Sequence, residues 1–251
     1  MKMKTTIQSH VAKPHPALAY VGMLLTLLAA AVLHSGSAAA ASVGRVVNLS
    51  DPSQLLARKA DGTTKVLIHN STVDNGDVLE SQTNTYARIK FIDNSEITLA
   101  PNTQLKIENY SFDENKPQED RSVFSLIKGT LRSITGSLGK RSIDRYELKT
   151  PAATIGIRGT NYIAKYVPME EATEPEAKDT IVKEDKCDPR RSGLTVEVTG
   201  GIIYLTNDGG AQKYSAGEFG CVASFKQAPV TITNPGIQFT PSFTKSIQCK
   251  V

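Results

Sequence analysis

Short apolar runs separated by turn-forming residues recur along the chain from Gly44 onward. In the segment 87–91, apolar side chains alternate with Arg88 and Lys90, which is the period of two expected of a strand with one buried face. Two further alternating segments follow within residues 96–107, each behind a polar turn. Short strands at such close spacing favour a meander, a roll or a solenoid. The pattern predicts an all-β fold, a solenoid-like or rolled stack of short strands in a single domain.

Three stretches interrupt this alternation. Residues 109–121 are rich in charged residues and proline, which predicts an exposed loop. Residues 135–144 are rich in glycine, serine, lysine and arginine, which predicts a mobile segment. Between Pro168 and Arg191 acids outnumber bases and few apolar residues remain, which predicts an irregular acidic insertion loop at 167–192.

Strands resume after this loop. Leu194, Val196 and Val198 alternate with polar residues, and a strong hairpin signal begins at Asn207. From Ala228 onward the chain carries three prolines, which predicts an extended strap. The predicted divisions are a signal peptide at 1–41, a β domain at 42–166, the acidic loop at 167–192, and continuing strands with the strap at 193–251.

The start of the chain has the order of an export signal. Lys2, Lys4 and Lys13 precede an apolar run at 17–33, and small residues follow it. Cleavage is predicted within 39–41, which would release the mature chain outside the cytoplasm, without a stable membrane span. The alternative is an uncleaved anchor, because the apolar run reaches the lower edge of membrane-spanning length.

Charge has to be counted without this leader. Removing its three lysines from the net charge of +4 leaves +1 for the mature chain. Lysine and arginine are also interspersed with acids, whereas a nucleic-acid-binding domain carries a basic face with interleaved aromatic residues. We therefore expect no nucleic-acid partner.

The residues of common catalytic and metal sites are scarce. His69 is the only histidine outside the leader, which excludes a metal site built on several histidines and leaves a catalytic triad one candidate base. No glycine-rich phosphate loop stands between a strand and a helix. A pair of acids brought together in space, as in a glycosidase, stays open. We expect a protein that is not an enzyme and has no cofactor and no metal site.

Three cysteines remain after export into an oxidising compartment, namely Cys187, Cys221 and Cys249. Three thiols allow one internal disulfide and one free thiol. Cys221 lies in a strand-like segment, where buried free thiols are common. Cys187 and Cys249 lie in segments with little else to fix them, so the predicted pair is Cys187 with Cys249.

One stretch, residues 150–160, combines β-branched residues with two glycines, Gly156 and Gly159, on either side of Arg158. The glycines indicate an extended backbone that something approaches closely. Arg158 would then brace neighbouring strands through buried hydrogen bonds. The other interpretation is contact with an anionic ligand or partner, with Arg132 as a companion; the sequence favours bracing.

The same stretch resembles the signature of the FecR domain family, named after the ferric citrate regulator of bacteria. The resemblance is carried by Thr150, Pro151, Gly156, Gly159 and Thr160 around the arginine. The segments 76–79, 87–99 and 101–105 resemble the first half of the same family, so the similarity covers roughly residues 44–166.

The resemblance implies an all-β, solenoid-like periplasmic domain used for recognition. In the family's named member this domain passes a signal from an outer-membrane receptor to a cytoplasmic helical region. Only residues 1–16 precede the apolar run here, so we expect an exported binding or scaffold module that recognises an envelope protein or glycan. The alternatives are an enzyme acting on envelope polysaccharide, a periplasmic component of iron-responsive signalling, and a structural part of a surface assembly.

Overall fold

The computed structural model describes residues 42–51, 54–169, 187–188, 192–241 and 243. These residues form fifteen strands, one short α-helix, α1 (Ser137–Arg141), and 3-10 helices at Pro117–Glu119 and Ile143–Arg145. The strands are β1 (Ser42–Leu49), β2 (Leu55–Arg58), β3 (Thr64–Leu67), β4 (Thr72–Asp74), β5 (Val78–Ser81), β6 (Ala87–Phe91), β7 (Glu96–Leu99), β8 (Gln104–Ser111), β9 (Arg121–Ile134), β10 (Tyr146–Lys149), β11 (Thr154–Val167), β12 (Gly193–Asn207), β13 (Gly210–Ser215), β14 (Phe219–Val222) and β15 (Val230–Ile232). The predicted all-β class is confirmed.

All fifteen strands belong to one sheet. Three long strands continue from one part of the sheet into the other, so that the sheet forms two layers. In the first layer the order is β4-β1-β6-β7-β9-β11-β12-β14-β15, and in the second it is β3-β2-β5-β8-β9-β10-β11-β12-β13. The strands β9, β11 and β12 contribute one half to each layer. Among the strand pairs of the described residues, β9–β10 is the one parallel pair. The solenoid is not confirmed, because shared long strands take the place of repeating coils.

Two facing bends let the long strands pass between the layers. β11 bends at Gly159, whose φ is +55°, and its register with β12 shifts between Arg158 and Asn161. β12 bends opposite at Gly201, whose φ is +76°. A Cβ atom on Gly201 would lie 2.4 Å from the carbonyl oxygen of Gly159. Glycine is needed at the β12 bend both for its backbone conformation and for this close approach.

The core lies between the layers. Phe91 of the first layer stacks on Tyr110 of the second at 4.9 Å between ring centroids and meets Phe124 edge-on at 5.2 Å. All three side chains are at most 3% exposed. Burial of one such side chain stabilises the fold by roughly 1.5 to 3 kcal/mol. The alternation predicted for 87–91 is confirmed, because its apolar residues are the ones that enter this core.

Hydrogen bonds between side-chain hydroxyl groups also connect the two layers through the core. The hydroxyls of Tyr146 on β10 and Tyr162 on β11 lie 2.6 Å apart, and Ser133 on β9 lies 3.3 Å from the first of them. The Tyr110 hydroxyl donates to Asp93, which is 2% exposed. Burial and the neighbouring charge of Asp93 raise the pKa of Tyr110. The phenols stay protonated, and their hydrogen bonds link the two layers.

The segment 135–144, predicted to be mobile, is ordered. It contains α1, in which Leu138 is 1% exposed. The backbone N–H of Leu138 donates to Asp93 at 3.1 Å, and Arg141 binds Asp120. The prediction was wrong because polar composition hid one core residue and an arginine that pairs with the buried carboxylate of Asp120.

The disulfide joins Cys187 to Cys221, with 5.9 Å between their Cα atoms. The predicted pairing of Cys187 with Cys249 is therefore wrong. Cys221 is buried as expected. It lies on β14 opposite Thr195, near the start of β12, and in this position it bonds to Cys187. Cys249 lies outside the described residues, as do the leader and most of the acidic loop.

The chain beyond β15 runs without regular secondary structure across the first layer. From Pro235 to Phe243, the odd-numbered residues are half-buried, and the even-numbered residues that the structure describes are exposed. Phe239 meets Tyr86 at 5.9 Å between ring centroids, and the guanidinium of Arg88 lies 4.8 Å from the ring of Phe243. Within the described ranges no helix has the length and apolar character needed to cross a membrane.

Candidate functional site: the exposed face of β11

The signature stretch forms the first half of β11 and the turn before it. Ile155 and Ile157 point into the core and are at most 3% exposed. Gly156 and Arg158 alternate with them and therefore face outward on the second layer. The predicted extended backbone is present, and the glycine and arginine of the signature lie at the surface.

Thr150 shapes the turn between β10 and β11. Its hydroxyl accepts hydrogen bonds from the N–H groups of Ala152 and Ala153 at 3.2 and 3.0 Å and donates to the Ala153 carbonyl at 2.8 Å. Pro151 occupies an exposed position in this turn. Thr150 and Pro151 thus fix where β11 begins, and both have structural roles.

Thr160 is the residue that braces β11. It is 1% exposed, and its hydroxyl donates to the Ile202 carbonyl of β12 at 2.6 Å and accepts from the Arg158 N–H at 3.2 Å. Its own N–H donates to the Thr135 hydroxyl at 2.9 Å, and that hydroxyl donates to the Thr160 carbonyl at 2.6 Å. These bonds tie the bend of β11 to β12 and to the end of β9.

The side chain of Arg158 does not brace the fold. It is exposed, and its guanidinium has no hydrogen-bond or ion-pair partner among the described residues, whereas its backbone N–H donates to Thr160. The prediction of buried hydrogen bonds to its guanidinium is wrong, because strand alternation directs the side chain away from the core. The expected close approach is absent at Gly156, where no atom lies within 4 Å of a built Cβ; at Gly159 the Cβ position is equally open, but Gly201 of β12 packs closely on the backbone carbonyl.

The neighbours of Arg158 follow from the strand register. Gly156 is opposite Tyr204 of β12, which is opposite Lys213 of β13. Arg158 is opposite Ile202. The result is an open face with one half-buried aromatic ring, two exposed cations and a bare backbone at Gly156. A guanidinium in this setting is available for bidentate binding of a partner's carboxylate.

The sequence did not indicate that Tyr204 and Lys213 lie on the same outward face as Arg158. The alternation of both residues with core residues can be seen in the sequence, and the hairpin after Asn207 was predicted from it. The missing information was the pairing of β11 with the second half of β12, which depends on the bend at Gly201.

Arg132 lies elsewhere. It is half-buried on β9 in the first layer, between Thr98 of β7 and Ile163 of β11. Arg158 faces outward from the second layer. The structure does not bring the two arginines together, so Arg132 is not a companion in this face.

One pair of carboxylates is held by a lysine. The Lys59 ammonium donates to Asp74 at 2.8 Å and to the buried Asp77 at 2.7 Å. Burial, the largest single influence, lowers the pKa of Lys59, but its hydrogen bonds to the two acids outweigh burial and raise it. A catalytic acid pair needs room for substrate and water between its members. Here a cation fills that position, as in a structural ion cluster.

His69, the only histidine among the described residues, is exposed in the turn after β3. The part of the chain that the structure describes contains no group of three or more histidine, cysteine or acidic side chains suited to a metal ion.

Comparison with known proteins agrees with the signature. The FecR family model, described as FecR protein, matches residues 77–181. No curated protein matches the chain. Two crystal structures of a candidate anti-sigma factor from Parabacteroides distasonis ATCC 8503 are similar, with TM-scores of 0.41 and identities of 11% and 10%. The match covers 62% of this chain and 58% of each of those chains.

Proposed function

We propose that this chain, which carries a FecR domain at residues 77–181, is an exported module that binds an envelope protein or glycan through the face around Arg158. The observation that carries the proposal is the exposure of Arg158 within a signature whose other polar side chains make the structural bonds. Thr150 and Thr160 account for the turn and the bracing of β11. Arg158 contributes neither, and its guanidinium is available to an acidic partner.

An extracytoplasmic location supports this role. The leader has the order of an export signal. A disulfide between Cys187 and Cys221 is compatible with folding in an oxidising compartment. We place the protein in the periplasm or the medium on these two grounds.

The FecR match favours one second candidate, a periplasmic component of iron-responsive signalling. Both candidates require a protein or glycan contact and no catalysis, and we propose that the chain is not an enzyme. They differ in the partner, which would be an outer-membrane receptor or a regulator in the signalling case.

Affinity capture from envelope extracts tests the proposal. The immobilised parent, Arg158→Ala and Arg158→Lys should be compared with Arg121→Ala, which removes another exposed arginine of the second layer. We expect Arg158→Ala to lose about tenfold or more of the captured partner, equivalent to one charge-assisted contact. Arg158→Lys should retain part of it, and Arg121→Ala should match the parent. Equal capture by Arg158→Ala and the parent would overturn the assignment of this face.

A further inference from the structure

A second surface, on the other layer, combines two cations with an open groove. Arg45 of β1 is directly opposite Lys90 of β6, so the two side chains lie side by side on the outer face of the first layer. Both line a groove of about 890 Å³ at the β4–β1–β6 edge. Arg45 is exposed and Lys90 is half-buried. Like charges in this cross-strand position repel each other, and the fold places them there without an acid between them.

The nearby acids are engaged elsewhere. The same register row continues from Lys90 to Glu96 of β7, but Glu96 is directed to Arg88, with 3.8 Å between the charged atoms. On the other side Arg45 is opposite the uncharged Thr72. Neither Arg45 nor Lys90 forms an ion pair or side-chain hydrogen bond with any residue in the described ranges.

Two further acids near this edge are also committed. Asp74 is opposite Ser42 at the end of β1 but accepts its hydrogen bond from Lys59. Asp93, in the turn after β6, is buried and accepts hydrogen bonds from Tyr110 and Leu138. The cation pair is therefore unpaired, and the residues that the structure describes supply no counter-charge for it.

The rest of the groove has both polar and apolar walls. Asn70 and Asn94 line it from two turns, in which each adopts a positive φ, +67° and +65°. Ile92, which is 48% exposed, lies two residues beyond Lys90 on the same outward side of the chain. An exposed isoleucine beside unpaired cations and amide donors suits a ligand with an anionic head and an apolar part.

We propose that this groove is a binding site for an anionic amphiphile, whose phosphate or carboxylate group is held by Arg45 and Lys90 and whose apolar part contacts Ile92. The site is separate from the face around Arg158, which lies on the second layer. With this groove the protein has two independent binding surfaces, one on the outer face of each layer.

Calorimetric titration of the exported chain with two probes tests the proposal. Inorganic phosphate reports the anion site alone, octyl phosphate reports the anion and apolar parts together, and octyl glucoside is the uncharged control. We expect saturable binding of both phosphates, tighter for octyl phosphate, and none of octyl glucoside. Binding should weaken as salt is added, because the cations are open to solvent.

Variants identify the site. Arg45→Gln and Lys90→Gln should each weaken phosphate binding about tenfold, and the double variant should abolish it. Ile92→Ser should remove the advantage of octyl phosphate and leave inorganic phosphate unchanged. Arg121→Gln and Arg158→Ala should bind as the parent does, which separates this site from the proposed function.

Folding is checked in the same samples. Phosphate should raise the thermal midpoint of the parent and not that of the double variant, whose own midpoint at low salt should equal or exceed that of the parent because repulsion is relieved. Absence of saturable phosphate binding, or a double variant that still binds, would overturn the site. Octyl phosphate binding no tighter than inorganic phosphate would overturn the apolar half of the proposal.

Discussion

Arg141 and Arg158 come from neighbouring parts of the chain and have opposite surroundings. Arg141 donates two hydrogen bonds to Asp120 at 2.8 and 2.9 Å and others to the carbonyls of Asp113 and Glu114, and it stacks on Phe112. Arg158 has none of these contacts among the described residues. An arginine that braces a fold is recognised by a buried acid in bidentate geometry, and an arginine without one is available to a partner.

The same contrast is seen in the segments next to the two arginines, the loop between β8 and β9 and the bend of β11. Arg141, the last residue of α1, ties the loop between β8 and β9 to the helix through Asp120, and Ser142 adds a hydrogen bond to Asp120 at 2.7 Å. The bend of β11 is instead closed by Thr160, with no contribution from the charge beside it. Charged and neutral hydrogen bonds thus do the same structural task in the two regions, and their loss should differ in size and in pH dependence.

The largest expected effect is that of Arg141→Ala. The change leaves the buried carboxylate of Asp120 without its cation, and breaking such a pair by removing one partner is strongly destabilising. Denaturant unfolding should show the largest drop in midpoint of the variants compared here. Arg145→Ala is a suitable comparison, since Arg145 donates to the carbonyls of Gln118 and Asp120 and to no carboxylate. A midpoint for Arg141→Ala within error of the parent would contradict the bracing role.

The same pair predicts a pH dependence. Hydrogen bonds from Arg141 are the main cause of the lowered pKa of Asp120. An acid with a lowered pKa in the folded state stabilises the protein above its unfolded pKa of about 3.9, and this contribution is lost as pH falls toward the folded value.

Unfolding free energy measured between pH 6 and about pH 2 checks this expectation. The parent should lose stability below about pH 4, and Asp120→Asn should show a smaller loss over the same range. Asp144→Asn, at an exposed position, should keep the slope of the parent. Equal slopes for the parent and Asp120→Asn would show that the pair makes no pH-dependent contribution.

Thr160→Val should have an intermediate effect. The side chain keeps its shape but loses the donor to the Ile202 carbonyl and the acceptor for the Arg158 N–H. A buried acceptor without its partner costs about 1 to 3 kcal/mol. Chemical unfolding with an unchanged slope should report this loss. Thr154→Val, on the outward side of the same strand, is the matched control and should behave like the parent.

Local patterns were sufficient to predict the strands and the class of fold. The alternation at 87–91 and the isoleucines of the signature have the burial that a period of two requires. The division of β9, β11 and β12 between two layers was beyond such patterns. It depends on which distant strand pairs with each half, and the parallel β9–β10 contact decides part of it.

The two arginines show the same limit for the candidate site. Arg158 stood out because glycines flank it, yet the space beside Gly156 is open, and the one close approach, of Gly201 to the Gly159 carbonyl, does not involve the arginine side chain. Arg141 was passed over within a polar segment, because its partner Asp120 belongs to a different loop. Sequence identified the surface signature but could not assign the structural role, which depends on contacts between residues far apart in the chain.

The central claim is that Arg158 is a contact residue and not a brace, and denaturant unfolding of Arg158→Ala tests it most directly. The account predicts a free energy of unfolding within about 0.5 kcal/mol of the parent, as for other surface substitutions, with an unchanged slope. Thr160→Val, measured alongside, should be clearly less stable. A drop for Arg158→Ala as large as that of Thr160→Val would contradict the account and return Arg158 to the structure of the bend.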